Sequence, residues 1–301
     1  MPNDKNAVEI SGLCRKFGKT IAVNNLSLRA PRGKCYGFFG RNGAGKTTTI
    51  RCMLNLLQPD SGEIRIFGKS PKKDETAVKS RLGYVPEVVA FYPWMTVRGT
   101  LDFISSFRDH WNSELEKNLL ERFDLDPGKK VTSLSRGMKA QLSLLCAICP
   151  EPDLLLLDEP TSGLDPIVRR DFIKTVIGAF QEGDPENRTM FISTHLIGEF
   201  EGLIDEFTII EAGRDILSLD ADQARGRFKK IKLRFEDQPP TIKETGIVSV
   251  YTEGRDVEVV TSDYSEALKD KLASLSPKSL QVETLRLEEI FIAAVGGERK
   301  R

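Results

Sequence analysis

The sequence has no long apolar run. None of its uninterrupted apolar stretches approaches the roughly 20 residues that a membrane-spanning helix needs. The longest, around residues 142–149 and 154–157, are short and adjoin charged residues. The start of the chain, residues 1–6, is polar and lacks the apolar core of a signal peptide. We therefore expect a cytoplasmic protein, in which any membrane role depends on a partner.

An excess of charge is also missing. The 301 residues include 44 Lys and Arg and 44 Asp and Glu, so the formal net charge is zero. This balance provides neither a global basic field for nucleic acid nor the acidic excess typical of disorder. With 40% hydrophobic and 29% charged residues, the composition is that of a globular protein. Its length suits one α/β domain with a smaller unit.

Cysteine and histidine are scarce. Five Cys residues without a secretory signal indicate reduced thiols. Cys146 and Cys149 form a C-x-x-C pair, but a structural zinc site needs about four ligands. The sequence offers only His110 and His195 as further nitrogen ligands. We therefore interpret the pair as two small side chains on a buried helix.

Strand and helix patterns divide the sequence into two parts. Helical periodicity dominates an insertion at about 87–150, and apolar strands of the parallel type surround it. The first domain is expected to span 1–222, and a small α+β domain is expected over 228–298. The strands predicted in the first domain are 8–17, 22–29, 35–39, 63–67, 154–157 and 190–193, with a helix at 47–57 and a hairpin at 206–216.

A glycine-rich loop follows the strand at 35–39 and opens the helix at 47–57. It reads G-R-N-G-A-G-K-T and fits the pattern G-x-x-x-x-G-K-[ST]. Glycines let backbone N–H groups surround phosphate oxygens without a Cβ clash, and the helix N-terminus favours an anion. Lys46 is expected to reach the β- and γ-phosphates, and the Thr47 hydroxyl to ligate Mg²⁺. The predicted ATP-binding loop is Gly40, Arg41, Asn42, Gly43, Ala44, Gly45, Lys46 and Thr47.

Two adjacent carboxylates end the strand at 154–157. Asp158 is placed to hold Mg²⁺, directly or through water. Glu159 is then the candidate that polarises the attacking water. His195 follows the strand at 190–193, so the loop, the two acids and the histidine all lie at the carboxyl edge of the predicted parallel sheet. This shared edge favours His195 as a contact of the γ-phosphate.

Four further segments make the sequence resemble the ATP-binding-cassette (ABC) proteins. L-S-R-G-M at 134–138 is similar to the family signature L-S-G-G-Q, and D-E-P-T-S-G-L-D-P at 158–166 is similar to its Walker B motif and D-loop. G-Y-V-P-E at 83–87 is similar to the family's Q-loop, and S-T-H at 193–195 to its switch histidine. The motifs occur in the order typical of that family.

The resemblance covers about residues 8–220. It implies an α/β P-loop NTPase fold with a RecA-like parallel sheet, an antiparallel β subdomain and a helical insertion. The implied activity is ATP hydrolysis with Glu159 and His195 as catalytic residues. Phe17 matches the aromatic residue that stacks on adenine, and Thr48 belongs to the implied ATP-binding set.

The resemblance also implies a dimer beside a membrane. Two family subunits pack head to tail and enclose two ATP molecules, so Ser135 and Gly137 would face the partner's γ-phosphate and Asp165 would lie at the dimer seam. The implied partners are a second ATP-binding subunit, in a homodimer, and a separate transmembrane permease. The chain would then lie on the cytoplasmic face of the membrane.

The sequence departs from the usual family motifs at three positions. Glu87 replaces the usual Gln of the Q-loop and still offers an oxygen to Mg²⁺, while adding charge beside the triphosphate. Arg136 and Met138 replace Gly and Gln in the signature. Signatures that read S-[RK]-G-M occur in the family branch that serves bacterial exporters with separate membrane subunits. The sequence at 135–138 resembles that branch.

Large apolar residues follow the Q-loop. Phe91, Tyr92, Trp94 and Met95 lie where a family member forms a groove for a helix of its membrane subunit. Exposed, they would suit such a partner. The alternative is that several of them pack beneath the helical insertion.

Two other functions stay open at this point. A soluble ABC ATPase acting on ribosomes or nucleic acid usually carries two cassettes, long coiled coils or zinc insertions, and this sequence has one cassette and no heptad run. A regulatory module that binds ATP without turnover is the second alternative. The presence of Glu159 and His195 argues against it.

Overall fold

The strands form three sheets, of three, four and six strands, within the part of the chain that the structure describes. The structure is a computed structural model and describes residues 5–181 and 188–298. Most of the polar start of the sequence, residues 1–4, lies outside the described residues. The strands are β1 (Asn6–Phe17), β2 (Thr20–Pro31), β3 (Cys35–Gly40), β4 (Ser61–Ile66), β5 (Leu82–Val85), β6 (Leu154–Asp158), β7 (Thr189–Thr194), β8 (Glu206–Glu211), β9 (Arg214–Asp220), β10 (Lys229–Arg234), β11 (Ile247–Glu253), β12 (Asp256–Thr261) and β13 (Ser279–Thr284). The helices are α1 (Lys46–Met53), α2 (Glu75–Lys79), α3 (Val97–Ser105), α4 (Ser113–Arg122), α5 (Arg136–Ile148), α6 (Pro166–Gln181), α7 (Ala221–Arg227), α8 (Glu266–Ala273) and α9 (Leu287–Glu298).

The six-stranded sheet has the order β5-β6-β7-β3-β8-β9 and pairs β5, β6, β7 and β3 in parallel. Every residue of β3, β6 and β7 is buried, as expected for strands that are covered on both faces. The register places Asp158 opposite Ser193, so the carboxyl ends of β6 and β7 reach one edge. The predicted RecA-like parallel core is confirmed.

The three-stranded sheet is antiparallel, with the order β2-β1-β4. Phe17 pairs with Thr20 at the end of the β1–β2 hairpin, and Gly18 turns the chain with a positive φ of 56°. Alternate residues such as Val8 and Ile10 are buried and join the hydrophobic core that includes Phe38 of β3. This sheet is the predicted antiparallel subdomain.

Helices α3, α4 and α5 fill the segment between β5 and β6, as the helical periodicity predicts. Polar side chains cap each N-terminus: Thr96 accepts from the Gly99 N–H at 3.0 Å and Asn112 from the Leu115 N–H at 2.9 Å. Helix α5 is buried from Ala140 to Ile148. Its apolar sequence therefore reflects core packing.

The predicted helix at 47–57 is too long. Helix α1 ends at Met53 and the chain turns through the next residues. Asn55 has a φ of 56°, a left-handed conformation that Asn tolerates and that ends a helix. The apolar residues after Asn55 continue the helical spacing in the sequence, but they are not part of the helix.

The described residues form two compact units. The second unit comprises Leu196–Ile209 and residues 216–298. Its sheet, with the order β11-β12-β10-β13, is antiparallel, and its core includes Ile231, Val259 and Leu272. The division into domains over 1–222 and 228–298 stays a prediction.

Cys146 and Cys149 are both buried at the end of α5, as interpreted from the sequence. Burial raises the pKa of the Cys146 thiol to about 12. No helix in the described ranges, 5–181 and 188–298, has the length and apolar character required to cross a bilayer.

Candidate functional site

The phosphate loop runs from the end of β3 to the start of α1. Gly43 and Gly45 have φ values of 83° and 107°, which favour glycine. A Cβ added to Gly45 would lie 2.3 Å from the carbonyl oxygen of Ala22. The loop thus needs glycine both for its backbone conformation and for its close approach to β2.

Lys46 points back over this loop. Its side chain is buried, and Nζ donates to the carbonyl oxygen of Gly40 at 2.7 Å. The same Nζ lies 2.9 Å from Oε1 of Glu159, close enough for an ion pair although not aligned as a hydrogen bond. The cation expected at the β- and γ-phosphates is therefore fixed beside the candidate catalytic carboxylate.

Asp158 is completely buried, yet only one of its two carboxylate oxygens is satisfied. Oδ1 accepts from the Thr47 hydroxyl at 3.2 Å and from the Ser193 hydroxyl at 3.0 Å. Oδ2 has no hydrogen-bond partner among the described residues. Burial raises the pKa of Asp158, and the negative charges of Glu87 and Glu159 add to this shift.

An unpaired buried carboxylate oxygen suits a divalent cation. Across residues 5–181 and 188–298 there is no group of three or more His, Cys, Asp or Glu side chains that could hold a metal ion. Thr47 and Asp158 still fit Mg²⁺ without further protein ligands, because Mg²⁺ is usually bound by one or two protein oxygens together with substrate phosphates and water. Glu87, which follows β5, is exposed.

Glu159 is held by several donors at the carboxyl edge of the sheet. Oε2 lies 2.8 Å from Nδ1 of His195 and accepts from the Thr194 hydroxyl at 3.2 Å. Glu159 itself has a φ of 46°, an uncommon conformation for a residue with a side chain and one found at functional sites. The structure thus places Glu159 in contact with both Lys46 and His195, at the sheet edge where the sequence analysis expects all three residues.

Phe17 lies at the tip of the β1–β2 hairpin. Its ring is 48% exposed, and the Arg15 guanidinium stands 4.9 Å from its centroid. The hairpin adjoins the phosphate loop because Ala22 of β2 contacts Gly45. An exposed aromatic ring is therefore available near the loop, and stacking on adenine stays a prediction for it.

The signature residues form a second cluster. Ser135 is the N-cap of α5 and accepts from the Met138 N–H at 3.2 Å. Gly137 is buried against α6, where an added Cβ would lie 3.0 Å from Val168. Asp165 caps α6 by accepting from the Val168 N–H at 3.1 Å. Within the described part of the chain, no hydrogen bond joins Ser135 or Asp165 to the phosphate loop, so their role at a nucleotide stays a prediction.

A groove of about 680 Å³ opens beside the segment that follows the Q-loop. Tyr92 is 50% exposed and stacks on Trp94 at 4.8 Å between centroids, and Trp94 is exposed too. Phe91 and Met95 are half-buried. Two of the four residues are therefore exposed, as a surface for a partner requires. The other two are partly covered, as packing beneath the helical insertion requires.

Two polar side chains of this site were not predicted as site residues. Ser193 and Thr194 bind the carboxylates of Asp158 and Glu159. The signal was present in the sequence, since β6 and β7 are adjacent parallel strands and their last residues must meet at one edge.

Comparisons with known proteins agree with this geometry. Residues 23–162 match the family model of the ABC transporters. The chain is 30% identical to the bacitracin transport ATP-binding protein BcrA of Bacillus licheniformis, over 96% of this chain and 97% of that protein. It is 31% identical to the daunorubicin resistance ATP-binding protein DrrA3 of Streptomyces coeruleorubidus, over 98% of this chain and 97% of that protein.

A solved ATP-binding subunit of an ABC transporter has a similar fold. The TM-score is 0.66 at 26% identity, and the match covers 73% of this chain and 92% of the solved chain. The two curated relatives match almost the full length of this chain. Their similarity therefore extends beyond the nucleotide-binding part.

Proposed function

The chain belongs to the ABC transporter family as an ATP-binding subunit and ATPase, and from this premise we propose that two copies of it enclose two ATP molecules and drive a separate membrane subunit that exports its substrate. The observation that carries the catalytic part is the contact of the Glu159 carboxylate with both Lys46 and His195. A base, a phosphate-binding cation and an orienting imidazole meet at the end of one sheet.

Glu159 acts as the residue that polarises the attacking water. Its carboxylate is oriented by His195 and Thr194, so that it keeps one orientation at the sheet edge. Lys46 then compensates negative charge on the transferred phosphoryl group. His195 is one-third exposed, and its imidazole is accessible to a γ-phosphate from the open side of the site.

Mg²⁺ would be held by Thr47 and Asp158, with Glu87 as a further oxygen ligand. When bound, it neutralises charge on the phosphates and polarises the phosphoryl group. The buried Oδ2 of Asp158, which has no hydrogen-bond partner among the described residues, supports this assignment.

The second half of each nucleotide site comes from the partner copy. Ser135 is exposed at the N-terminus of the 13-residue helix α5, where the helix field favours an anion. Gly137 and Asp165 complete this face. Phe17 stacks on adenine, and the remaining loop residues, including Thr48, surround the phosphates. ATP therefore closes the dimer, and hydrolysis reopens it.

The membrane subunit docks in the groove lined by Tyr92 and Phe103. Both rings are exposed and contact each other edge to face at 5.8 Å. Exposed aromatic side chains around an apolar groove suit an amphipathic helix of a partner. This contact would hold the chain at the cytoplasmic face of the membrane.

Export is the direction that the relatives support. One is named for bacitracin transport and the other for daunorubicin resistance. Such names favour outward transport of a small molecule. The soluble alternative, an ATPase acting on ribosomes or nucleic acid, has no specific observation in its favour.

The catalytic assignment is tested with Glu159→Gln. This variant should bind ATP and lose turnover, because an amide cannot polarise water as a carboxylate does. Glu121→Gln, which changes an exposed carboxylate on α4, is the matched control and should hydrolyse ATP at the wild-type rate. Equal rates for the Glu159 variant and the wild type would overturn the assignment.

The partner is tested by a pull-down from gently solubilised membranes of the source organism. The tagged Glu159→Gln variant and ATP keep the dimer closed. We expect a polytopic membrane protein in the bound fraction, and less of it with Tyr92→Ala but not with Ile292→Ala, a control at an exposed apolar residue of α9. Recovery of ribosomes or nucleic acid without a membrane protein would favour the soluble alternative.

A further inference from the structure

Arg136, the first residue of α5, contacts the loop between β6 and α6. Its Nη2 donates to the carbonyl oxygen of Ser162 at 2.7 Å. The guanidinium also lies against Gly163, where an added Cβ would stand 2.3 Å from Nη1 and 2.4 Å from Cζ. Gly163 has a φ of 69°, a conformation that favours glycine, and its missing side chain leaves room for the guanidinium.

The start of α5 and the start of α6 are packed together at the same place. Gly137 is buried, and a Cβ there would lie 3.0 Å from Val168 on the first turn of α6. Asp165 fixes that turn by accepting from two backbone N–H groups at 3.1 Å. A displacement of the α5 N-terminus is therefore resisted by α6, and the Arg136 side chain extends the connection to residues 162 and 163.

We infer that Arg136 is a positioning residue that couples the signature residues, 134–138, to the loop at 161–165 of the same subunit. The inference rests on the proposed function, in which Ser135 faces the partner's ATP and Asp165 lies at the dimer seam. Binding of ATP against Ser135 would then fix the α5 N-terminus, and through Arg136 the loop that meets the partner copy. ATP bound at one site would in this way prepare the interface of the other.

The chemistry of arginine suits this role. A guanidinium is planar and carries several N–H donors, so it can donate to the Ser162 carbonyl while it lies against Gly163, whereas an ammonium offers a compact charge without a flat face. Arg136 and Gly163 are both exposed, so the contact adds little to folding stability. Its effect should therefore be visible in dimer closure and not in the stability of the monomer.

Closure is measured with the purified Glu159→Gln chain. The ATP concentration at half-maximal dimer formation is read by analytical ultracentrifugation, and ATP affinity of the monomer is read by titration at low protein concentration. Arg136→Ala should raise the half-maximal concentration about fivefold, as expected for the loss of one exposed hydrogen bond of ordinary strength. Monomer affinity and melting temperature should not change. Arg136→Lys should recover part of the loss, and Lys139→Gln, one turn further on, should match the parent.

Gly163→Ala tests the contact from the other side. The added methyl group collides with the guanidinium in the parent but has no such neighbour in the Arg136→Ala background. The strain of a positive φ is common to both backgrounds, so it cancels in a double-mutant cycle. We expect the combined effect of Gly163→Ala and Arg136→Ala on the half-maximal ATP concentration to differ about threefold or more from the product of their separate effects.

The outcomes separate this inference from the proposed function. If the Glu159→Gln chain stays monomeric at saturating ATP, the proposed dimer fails and the coupling fails with it. If that chain dimerises and Arg136→Ala dimerises equally well, or if the cycle is additive, the proposed function stands and the role of Arg136 is overturned. A lower melting temperature for Arg136→Ala with an unchanged dimerisation curve would likewise reduce the contact to a structural one.

Discussion

Nζ of Lys46 lies 2.9 Å from Oε1 of Glu159, and both side chains are more than nine-tenths buried. The pair joins the phosphate loop, which follows β3, to the carboxylate that follows β6. Two charges removed from water in this way depend strongly on each other. The ion pair therefore connects the stability of the chain to its catalytic residue.

Removal of Lys46 should destabilise the protein without nucleotide. Lys46→Ala leaves the buried Glu159 carboxylate without its cation, and we expect the free energy of unfolding to fall on the order of 3 kcal/mol. Urea denaturation measures the change. The exposed ion pair of Lys79 with Glu75 supplies the control, because Lys79→Ala should cost less than about 1 kcal/mol.

A second substitution identifies the cause. If the unpaired carboxylate is responsible, Glu159→Gln in the Lys46→Ala background should recover part of the lost stability. A double variant that is less stable than Lys46→Ala would show that Lys46 acts through its packing and its bonds to the loop carbonyls.

Much of the site could be predicted because its parts lie at strand ends. The phosphate loop, Asp158, Glu159 and His195 each follow an apolar strand, and parallel strands bring their carboxyl ends to one edge. The length of α1 could not be predicted, because the apolar residues after Met53 continue the helical period while Asn55 ends the helix.

Other features depend on contacts that a linear pattern does not contain. The hydrogen bond from Arg136 to Ser162 spans 26 positions, and no periodicity points to it. The sequence pattern gave no prediction of strands β11 and β13 in the small domain, because many of their side chains are exposed and polar. These two segments are strands because β11 pairs with β12 and β13 pairs with β10 in the four-stranded sheet.

Phe17 should report adenine directly. Phe17→Trp keeps an aromatic ring at the exposed hairpin tip, and we expect ATP to quench its fluorescence as the base stacks on the indole. Ile21→Trp, at a residue of the same hairpin that is 46% exposed, is the matched control. Equal quenching of both variants would argue against a specific stack at position 17.

Cys14 should be the most reactive thiol of the native protein. Hydrogen bonds from Ser61 and from the Asn25 N–H lower its pKa, whereas burial raises the pKa of Cys52 to about 11 and that of Cys146 to about 12. Because the thiolate is the nucleophile, iodoacetamide at pH 8 should modify Cys14 first. Mass spectrometry of the digested protein measures this order, which should disappear in urea. Early modification of Cys146 would contradict the buried position of α5.

Asp158 should lower the stability of the nucleotide-free fold at neutral pH. Burial raises the pKa of its carboxyl above the ordinary 3.8, so the folded state keeps the proton at pH values where the unfolded chain has lost it. Stability from this group is fully present below pH 3.8 and is lost as the pH rises through the folded pKa. The nearly isosteric Asp158→Asn should therefore be more stable than the wild type at pH 7, and this advantage should shrink towards pH 4.

With bound Mg²⁺ and ATP the wild type should be more stable than Asp158→Asn, because Mg²⁺ with ATP needs the carboxylate that the variant lacks. Urea denaturation at both pH values, with and without saturating Mg²⁺ and ATP, gives the four comparisons. Mass action predicts that the ligand stabilises the wild type more than Asp158→Asn. Asp109→Asn, at an exposed carboxylate, should show neither effect. An Asp158→Asn protein that is less stable than the wild type at pH 7 without ligand would mean that its bonds to Thr47 and Ser193 outweigh the cost of burying the charge.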